Sequence, residues 1–182
     1  MRCTSCGHDN LPGADHCDEC HANLMHEDVP LAGIESALEH SLSEDEVQAL
    51  NPVEAFSVPE GTSLEEAIRT MREQKIGCLL VTDHEGRLSG IFTERDLLYK
   101  VAGKVEDLSA RRVSQYMTHD PEVIRGDQLL ASALQRMMVG DLRHLPLVDS
   151  EGCPDKILSS RDIIDYLAFL VEGILEPNEA ST

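Results

Sequence analysis

One segment of this chain is written twice, 66 residues apart, and that duplication limits the fold more than any other feature. Gly90-Ile91-Phe92-Thr93-Glu94-Arg95-Asp96-Leu97-Leu98 returns as Lys156-Ile157-Leu158-Ser159-Ser160-Arg161-Asp162-Ile163-Ile164. The displacement runs without a gap from Leu64 and Leu130, and ten of the thirty-five aligned positions are identical. Each copy reads as a short apolar strand, a hydroxyl residue, and an Asp three positions later that opens a helix. Repeated units of this size bury against each other what neither can bury alone.

Upstream of the signature, Leu64, Ala67, Ile68 and Met71 fall at i, i+3, i+4, i+7, as do Leu130, Ala133, Leu134 and Met137. That spacing predicts a helix with one apolar stripe in each copy. Cys78-Leu79-Leu80-Val81 and Leu145-Pro146-Leu147-Val148 read as short buried strands, and Asp83-His84-Glu85-Gly86 and Asp149-Ser150-Glu151-Gly152 as turns into the signature strand. Each half is therefore β-α-β-β-α, and the class is α+β. A half by itself leaves an apolar sheet face uncovered, so the halves are expected to pair and to leave a groove between them.

Thr93-x-x-Asp96 and Ser159-x-x-Asp162 admit two readings. In one they are capping boxes, the hydroxyl capping the helix and the acid reaching back to a free backbone N–H. In the other each Asp holds the two hydroxyls of a ribose, with the hydroxyl residue and the helix N-terminal N–H groups facing phosphate. Together with Met117-Thr118 and Arg143-His144-Leu145-Pro146-Leu147-Val148-Asp149, the two signatures give residues 50–172 a resemblance to the cystathionine-β-synthase (CBS) domain family, whose tandem pairs are Bateman modules.

The resemblance implies a pseudo-twofold pair with two clefts that takes an adenosine compound such as AMP, ATP, S-adenosylmethionine or NAD. Carried over by position, Asp96 and Asp162 hold ribose hydroxyls, and Thr93 and Ser159 contact phosphate or ribose. Arg95 and Arg161 face phosphate or sit on the helix surface, and Arg143 and His144 neighbour a phosphate. The first-repeat equivalents of Arg143 and His144 are the uncharged Gly77 and Cys78, so the clefts are unequal. Gly90 would allow close approach of backbone or ligand, and Lys156, which stands in its place in the second repeat, is expected either to block that approach in the Asp162 cleft or to add a phosphate contact there. The resemblance also implies a homodimer through the helices Leu64–Met71, Glu94–Val101 and Arg161–Val171.

Four of the six cysteines form Cys3-x-x-Cys6 and Cys17-x-x-Cys20. Two such pairs suit a tetrahedral four-thiolate metal site, and so short a segment has too little apolar content to fold otherwise. Paired disulfides are the alternative, disfavoured without a secretion signal. Cys17-x-x-Cys20-His21 also matches the c-type haem pattern, which leaves Cys3 and Cys6 unexplained. His8, His16, His21 and His26 read as surface residues or as neighbours of the ligands, not as ligands themselves. The segment resembles the zinc-ribbon family, with Cys3-Thr4-Ser5-Cys6-Gly7 the better-formed knuckle, Gly13 a second turn, and His21 where a glycine is common. Iron in a rubredoxin-like site would use the same thiolates, but residues 1–26 contain no Phe, Tyr or Trp, and zinc is preferred. Cys78 and Cys153 read as free structural thiols.

Between these parts, Pro30 can open a helix with Leu31, Ile34 and Leu38 on one face. Ser43-Glu44-Asp45-Glu46 is a capping box for a second, short helix that stops before Asn51-Pro52, with Leu42 and Val47 as a hydrophobic staple and Val47 and Leu50 docking on the repeats. The expected order is a zinc ribbon at 1–26, an acidic helical linker at 27–51, repeats at 52–108 and 109–175, and a disordered tail at 176–182.

Net charge is −19, and no Lys or Arg stands between Cys3 and Arg69. Such a chain lacks the cationic footprint of nucleic-acid binding, and its acidity keeps anionic membranes away. No apolar run approaches the ~20 residues of a membrane span, and Met1-Arg2-Cys3 opens no signal peptide, so a cytoplasmic protein is expected. No catalytic constellation stands out: His144 has no nucleophile or acid assigned to it, and no phosphate-cradling glycine loop is present. The functional expectation is a ligand-sensing regulatory module, not an enzyme, that binds an adenine nucleotide and signals to a protein partner. A ligand-free interaction adaptor and an iron electron carrier are the alternatives.

Overall fold

In the computed structural model, which describes residues 2–3, 5–11, 14–22, 24 and 31–175 (backbone alone at 31–33 and 173–175), the duplication is a duplication of structure. The first copy runs β2 (Ser57–Pro59), α2 (Leu64–Gln74), β3 (Cys78–Thr82), β4 (Leu88–Thr93) and α3 (Glu94–Asp96), which continues as a π-helical turn, Leu97–Val101. The second runs β5 (Thr118–His119), α4 (Leu130–Gly140), β6 (His144–Val148), β7 (Pro154–Ser159) and α5 (Ser160–Leu175). α1 (Leu31–Glu44) and a 3-10 turn at Val47–Leu50 come first, and β1 (Val53–Glu54) leads into the first copy as β5 leads into the second. The chain divides into two compact units, Met1–His40 with Leu167–Thr182, and Ser41–Tyr166.

Register repeats with the same displacement. Cys78 pairs with Thr93 and Leu80 with Ile91 in the first hairpin. In the second, His144 pairs with Ser159 and Pro146 with Ile157. Both turns put Gly in the left-handed region, φ +83° at Gly86 and +85° at Gly152, where a side chain would be strained. Asp83 and Asp149 fix those turns by accepting two backbone N–H bonds each, from Glu85 and Arg87 and from Glu151 and Cys153.

The leading strands are exchanged. β1, which opens the first copy, lies antiparallel on β7 of the second, with Val53 opposite Ile157. β5, which opens the second, lies antiparallel on β4 of the first, with Ile91 opposite Thr118. The residues before them follow suit. Leu64 N–H, at the start of α2, donates to the carbonyl of Arg111, and Leu130 N–H, at the start of α4, donates to that of Asp45. Val113 N–H meets the Thr62 carbonyl, and Val47 N–H meets that of Gln128. The structural repeat thus extends back to Asp45 and Arg111, well before the sequence likeness begins.

Strands β3 and β4 are buried on both faces, which is why they read as unbroken apolar runs. Leu79, Val81 and Phe92 face α2 and pack with Leu64, Ala67, Met71 and Met117. Cys78, Leu80 and Ile91 face the other way and pack against Ile157 of the second repeat. Each fully buried Leu or Met contributes roughly 1.5–3 kcal/mol over an exposed one. The expected meeting of the halves is what the chain does.

Two expectations upstream change. Ser43 lies inside α1, which runs to Glu44, and the 3-10 turn after Glu46 has no side-chain cap. The capping box is absent because Ser43 is still helical, Glu46 itself stands at the start of the turn in an extended conformation, and its carboxylate accepts from the Gln48 side chain; Asp45 accepts from the Ser41 and Tyr166 hydroxyls. Val47 is nonetheless fully buried against the repeats, while Leu50 is half-buried. Gly13, His26, Pro30 and residues 176–182 lie outside the described residues. Among the described residues, no helix is long and apolar enough to cross a membrane.

Candidate functional site

Two clefts open along the seam between the repeats, related by the same displacement. The first, about 390 Å³, is lined by Thr93 and Asp96 from one repeat and by Leu142, Arg143 and His144 from the other, with Asp120, Pro121 and Glu122 along one side. The second, about 150 Å³, is lined by Ser159 and Asp162, by Ile76, Gly77 and Cys78, and by Glu54, Ala55 and Phe56. Small-molecule sites commonly span ~300–1,000 Å³, which only the first reaches. Gly77 and His144 line both clefts, so they form a shared wall.

Both Asp residues close capping boxes. Thr93 N–H and Oγ1–H donate to Asp96 Oδ2 at 2.9 and 2.7 Å, and Asp96 N–H donates back to Thr93 Oγ1 at 3.2 Å. Ser159 and Asp162 repeat the pattern at 2.7, 2.8 and 3.3 Å. The first N–H of α3 goes to the Gly77 carbonyl, and that of α5 to the Arg143 carbonyl. The two hydroxyl protons and these helix donors are therefore already engaged.

The other carboxylate oxygens differ. Asp96, buried, receives at Oδ1 the Lys100 ammonium at 2.7 Å and, more weakly, the Thr118 hydroxyl at 3.4 Å. Lys100 also donates to the carbonyls of Tyr116 and Met117, joining the π turn to the segment that leads into β5. In the second repeat Tyr166 stands where Lys100 does and Pro52 where Thr118 does, so Asp162 gains neither partner. Sequence reasoning missed Lys100, although its place four residues after Asp96 is the ordinary spacing of a helical ion pair.

The remaining candidates divide. Arg95 is half-exposed and bound to Asp141, Nη1 to Oδ2 at 3.0 Å, across the two repeats at the rim of the larger cleft. Arg161 is exposed and lines neither cleft. Arg143 and His144 both line the larger one. Burial holds the His144 imidazole below its usual pKa, against the pull of Asp162 and Glu94. Cys78 is buried and its thiol is pushed up to about 12 by burial and by Glu94, as befits an unreactive core thiol.

Gly90 and Lys156 have meanings other than those expected. A Cβ at Gly90 would stand 2.3 Å from Met117 Sδ, so the glycine makes room for a core side chain and not for a ligand. Lys156 lies opposite Glu54 across the β1–β7 pair and lines neither seam cleft, so it neither blocks the Asp162 cleft nor reaches into it.

At the N-terminus the Sγ atoms of Cys3, Cys6, Cys17 and Cys20 all lie within 4.8 Å of one another. Cys3–Cys20 and Cys6–Cys17 are 3.7 and 3.5 Å apart. Four thiolates ~2.3 Å from one tetrahedral ion would be separated by about 3.8 Å. A disulfide needs ~2.05 Å, and all four are free thiols. The cluster can hold a metal. Backbone N–H bonds, that of Cys20 foremost, lower the Cys17 pKa and so favour its thiolate. His8, His16 and His21 are exposed and stand outside the cluster.

The knuckles are copies displaced by 14 residues. Cys3 and Cys17 N–H donate to the carbonyls of His8 and Ala22, and Gly7 and His21 N–H return to those of Cys3 and Cys17. His21 occupies the left-handed turn that Gly7 occupies in the first knuckle, at φ +57° and +78°. Relief of that strain is expected to make His21→Gly stabilise the second knuckle by about 1 kcal/mol. A higher midpoint in a metal-chelator competition would register it, and an unchanged midpoint would show that the turn carries no strain. Asn10, which sequence reasoning passed over, ties the copies together by donating to the His8 carbonyl and Cys17 Sγ and accepting from Asp18 N–H.

The profile of the CBS domain matches residues 24–103 and 113–169. A CBS domain-containing protein of Arabidopsis thaliana is 39% identical over 104 residues, 57% of this chain, which spans only 19% of that relative's length. A CBS-domain containing protein from Agrobacterium tumefaciens superposes with a TM-score of 0.59 at 31% identity, covering 66% of this chain and 91% of that one. CBSX2, solved in complex with AMP, has a TM-score of 0.60 at 22% identity, covers 68% of this chain and 97% of its own, and shares the fold.

Proposed function

The chain belongs to the CBS-domain family, and from that membership we propose that it is a regulatory sensor that takes an adenosine compound into the seam between its repeats. The observation that carries this reading is the pair of symmetry-related clefts, each with a carboxylate held in the same place by the same capping box. A carboxylate so fixed is pre-positioned to accept from two vicinal hydroxyls. The larger cleft adds Arg143 and His144 on the facing wall, where a phosphate would lie. The AMP complex of CBSX2 supplies the ligand class by likeness of fold.

Sensing needs two states with different affinities, and Lys100 offers a route between them. A ribose diol that takes Asp96 Oδ1 competes with the Lys100 ammonium, which also holds the carbonyls of Tyr116 and Met117. Occupancy would then reach β5, and with it the exchanged lead of the second repeat. In the same reading the four cysteines hold a structural zinc ion and the knuckles present a surface to a protein partner. The sensor works as a homodimer through helix faces that include Leu98 and Tyr99, which are 67% and 71% exposed. α2 contributes little there, because Leu64, Ala67 and Met71 are spent inward.

A panel of adenosine compounds tests this by thermal shift, since ligand at 100 times Kd stabilises by about 2.7 kcal/mol. Asp96→Asn is expected to weaken binding in the larger cleft by about 10- to 150-fold, the loss of a charge-assisted interaction. Unchanged affinity in that variant would remove Asp96 from the site. The ligand-free adaptor is favoured by one observation, that the Asp96 carboxylate is already satisfied within the protein. It predicts no shift with any compound.

A further inference from the structure

The charges around the larger cleft are unbalanced in a way that bears on which adenosine compound fits. Two of its charged residues are paired within the protein, Asp96 with Lys100 and Arg95 with Asp141. Glu94, Asp120 and Glu122 line the cleft with no salt bridge among the described residues, and Arg143 is the single lining Arg or Lys left without one. His144 adds no fixed positive charge, since burial lowers its pKa from the usual value. One cation therefore faces three uncompensated carboxylates.

Resting on the sensor reading, we infer that this cleft is selective by phosphate count. It accepts an adenosyl ligand with at most one phosphate, held by Arg143, and Asp120, Glu122 and Glu94 turn away di- and triphosphates. The geometry supports this as well as the charge. Asp120, Pro121 and Glu122 continue from β5 and line the cleft together with Glu94, the first residue of α3. Arg143, immediately before β6, belongs to the other repeat from Asp96 and Glu94. A monophosphate beside Arg143 meets one favourable partner, whereas each added phosphate brings further negative charge into a site with no second free Arg or Lys. Like charges brought together at an interface are the usual means of rejecting a wrong partner.

The test is titration calorimetry of the full chain with adenosine, AMP and ATP, without added divalent cations, on the parent, on Asp120→Asn/Glu122→Gln and on Arg143→Gln. AMP is expected to bind the parent at least about tenfold tighter than ATP, the effect of one to two unscreened like-charge contacts. Neutralising the two acids should narrow that ratio by tightening ATP while adenosine stays unchanged, and Arg143→Gln should bring AMP down to the affinity of adenosine. ATP binding the parent as tightly as AMP, or a ratio unmoved in the neutralised variant, overturns the selectivity while adenosine binding keeps the sensor reading intact. Failure of all three compounds to bind overturns both.

Discussion

Replacing Cys17 with serine is expected to strip the chain of tightly held metal and to unfold both knuckles. Cys17 is fully buried, its Sγ lies 3.5 Å from that of Cys6, and its backbone carbonyl anchors the His21 turn. The apolar interior around it comprises Cys3, Cys17 and Leu24, with Ala14 and Ala22 half-buried beside them. Three buried side chains cannot offset the ordering entropy of some twenty residues at about 1–2 kcal/mol each. A structural zinc ion can, because its apparent binding free energy of about 10–16 kcal/mol near neutral pH is folding free energy. Native mass spectrometry should find one zinc per parent chain and none in Cys17→Ser. Amide exchange at Cys3, whose N–H is bonded to the His8 carbonyl, should rise to the rate of an open chain. Cys153→Ser, outside the cluster, should retain the ion. A Cys17→Ser chain that keeps a full complement of zinc would rule out the four-thiolate site, and iron in the parent would reassign the metal.

Phe92→Ala should cost the repeat unit about 3–5 kcal/mol, the range for removing a large buried aromatic side chain. Phe92 is the largest fully buried side chain among the described residues and touches the interior formed by Leu64, Met71, Leu79, Val101 and Met117. Its neighbours come from α2, from the π turn after α3, from the adjacent strand β3, and from Met117 of the exchanged lead. No single element can relax to fill the void. Domains of this size are stable by about 5–15 kcal/mol, so the loss is a fifth or more, and the melting temperature should fall by about 10 °C. Tyr99→Ala, at a side chain 71% exposed, should stay within about 0.5 kcal/mol of the parent. Because Phe92 lies between Ile91 and Thr93, a loosened β4 also loosens the capping box at Asp96. A Phe92→Ala chain that melts with the parent would mean that this interior is not what holds the first repeat.

What could be read in the sequence was what is local or periodic. The stripe at Leu64, Ala67 and Met71, the glycine turns at Gly86 and Gly152, and the hydroxyl–Asp boxes each depend on residues within a few positions of one another. Both readings of Thr93-x-x-Asp96 concern one carboxylate, and the box is present at each site. What could not be read depends on partners far along the chain. Gly90 looked like an opening for a ligand, and its neighbour is Met117. Ser43-Glu44-Asp45-Glu46 has the letters of a helix start, but α1 runs on through Ser43, and Glu46 is drawn into a bridge with Leu129, 83 residues later. The exchange of β1 and β5 left no trace because two-residue strands carry no periodicity.

That exchange has a consequence for how such a chain can exist at all. Cut between its copies, each fragment would carry a lead with nothing to lie on and a sheet with one bare rim. The missing piece would be found only on a second molecule. The tandem is, in effect, a swapped dimer whose two subunits have been joined end to end, so its halves cannot part by mere dilution and a change at one lead is felt first in the opposite half.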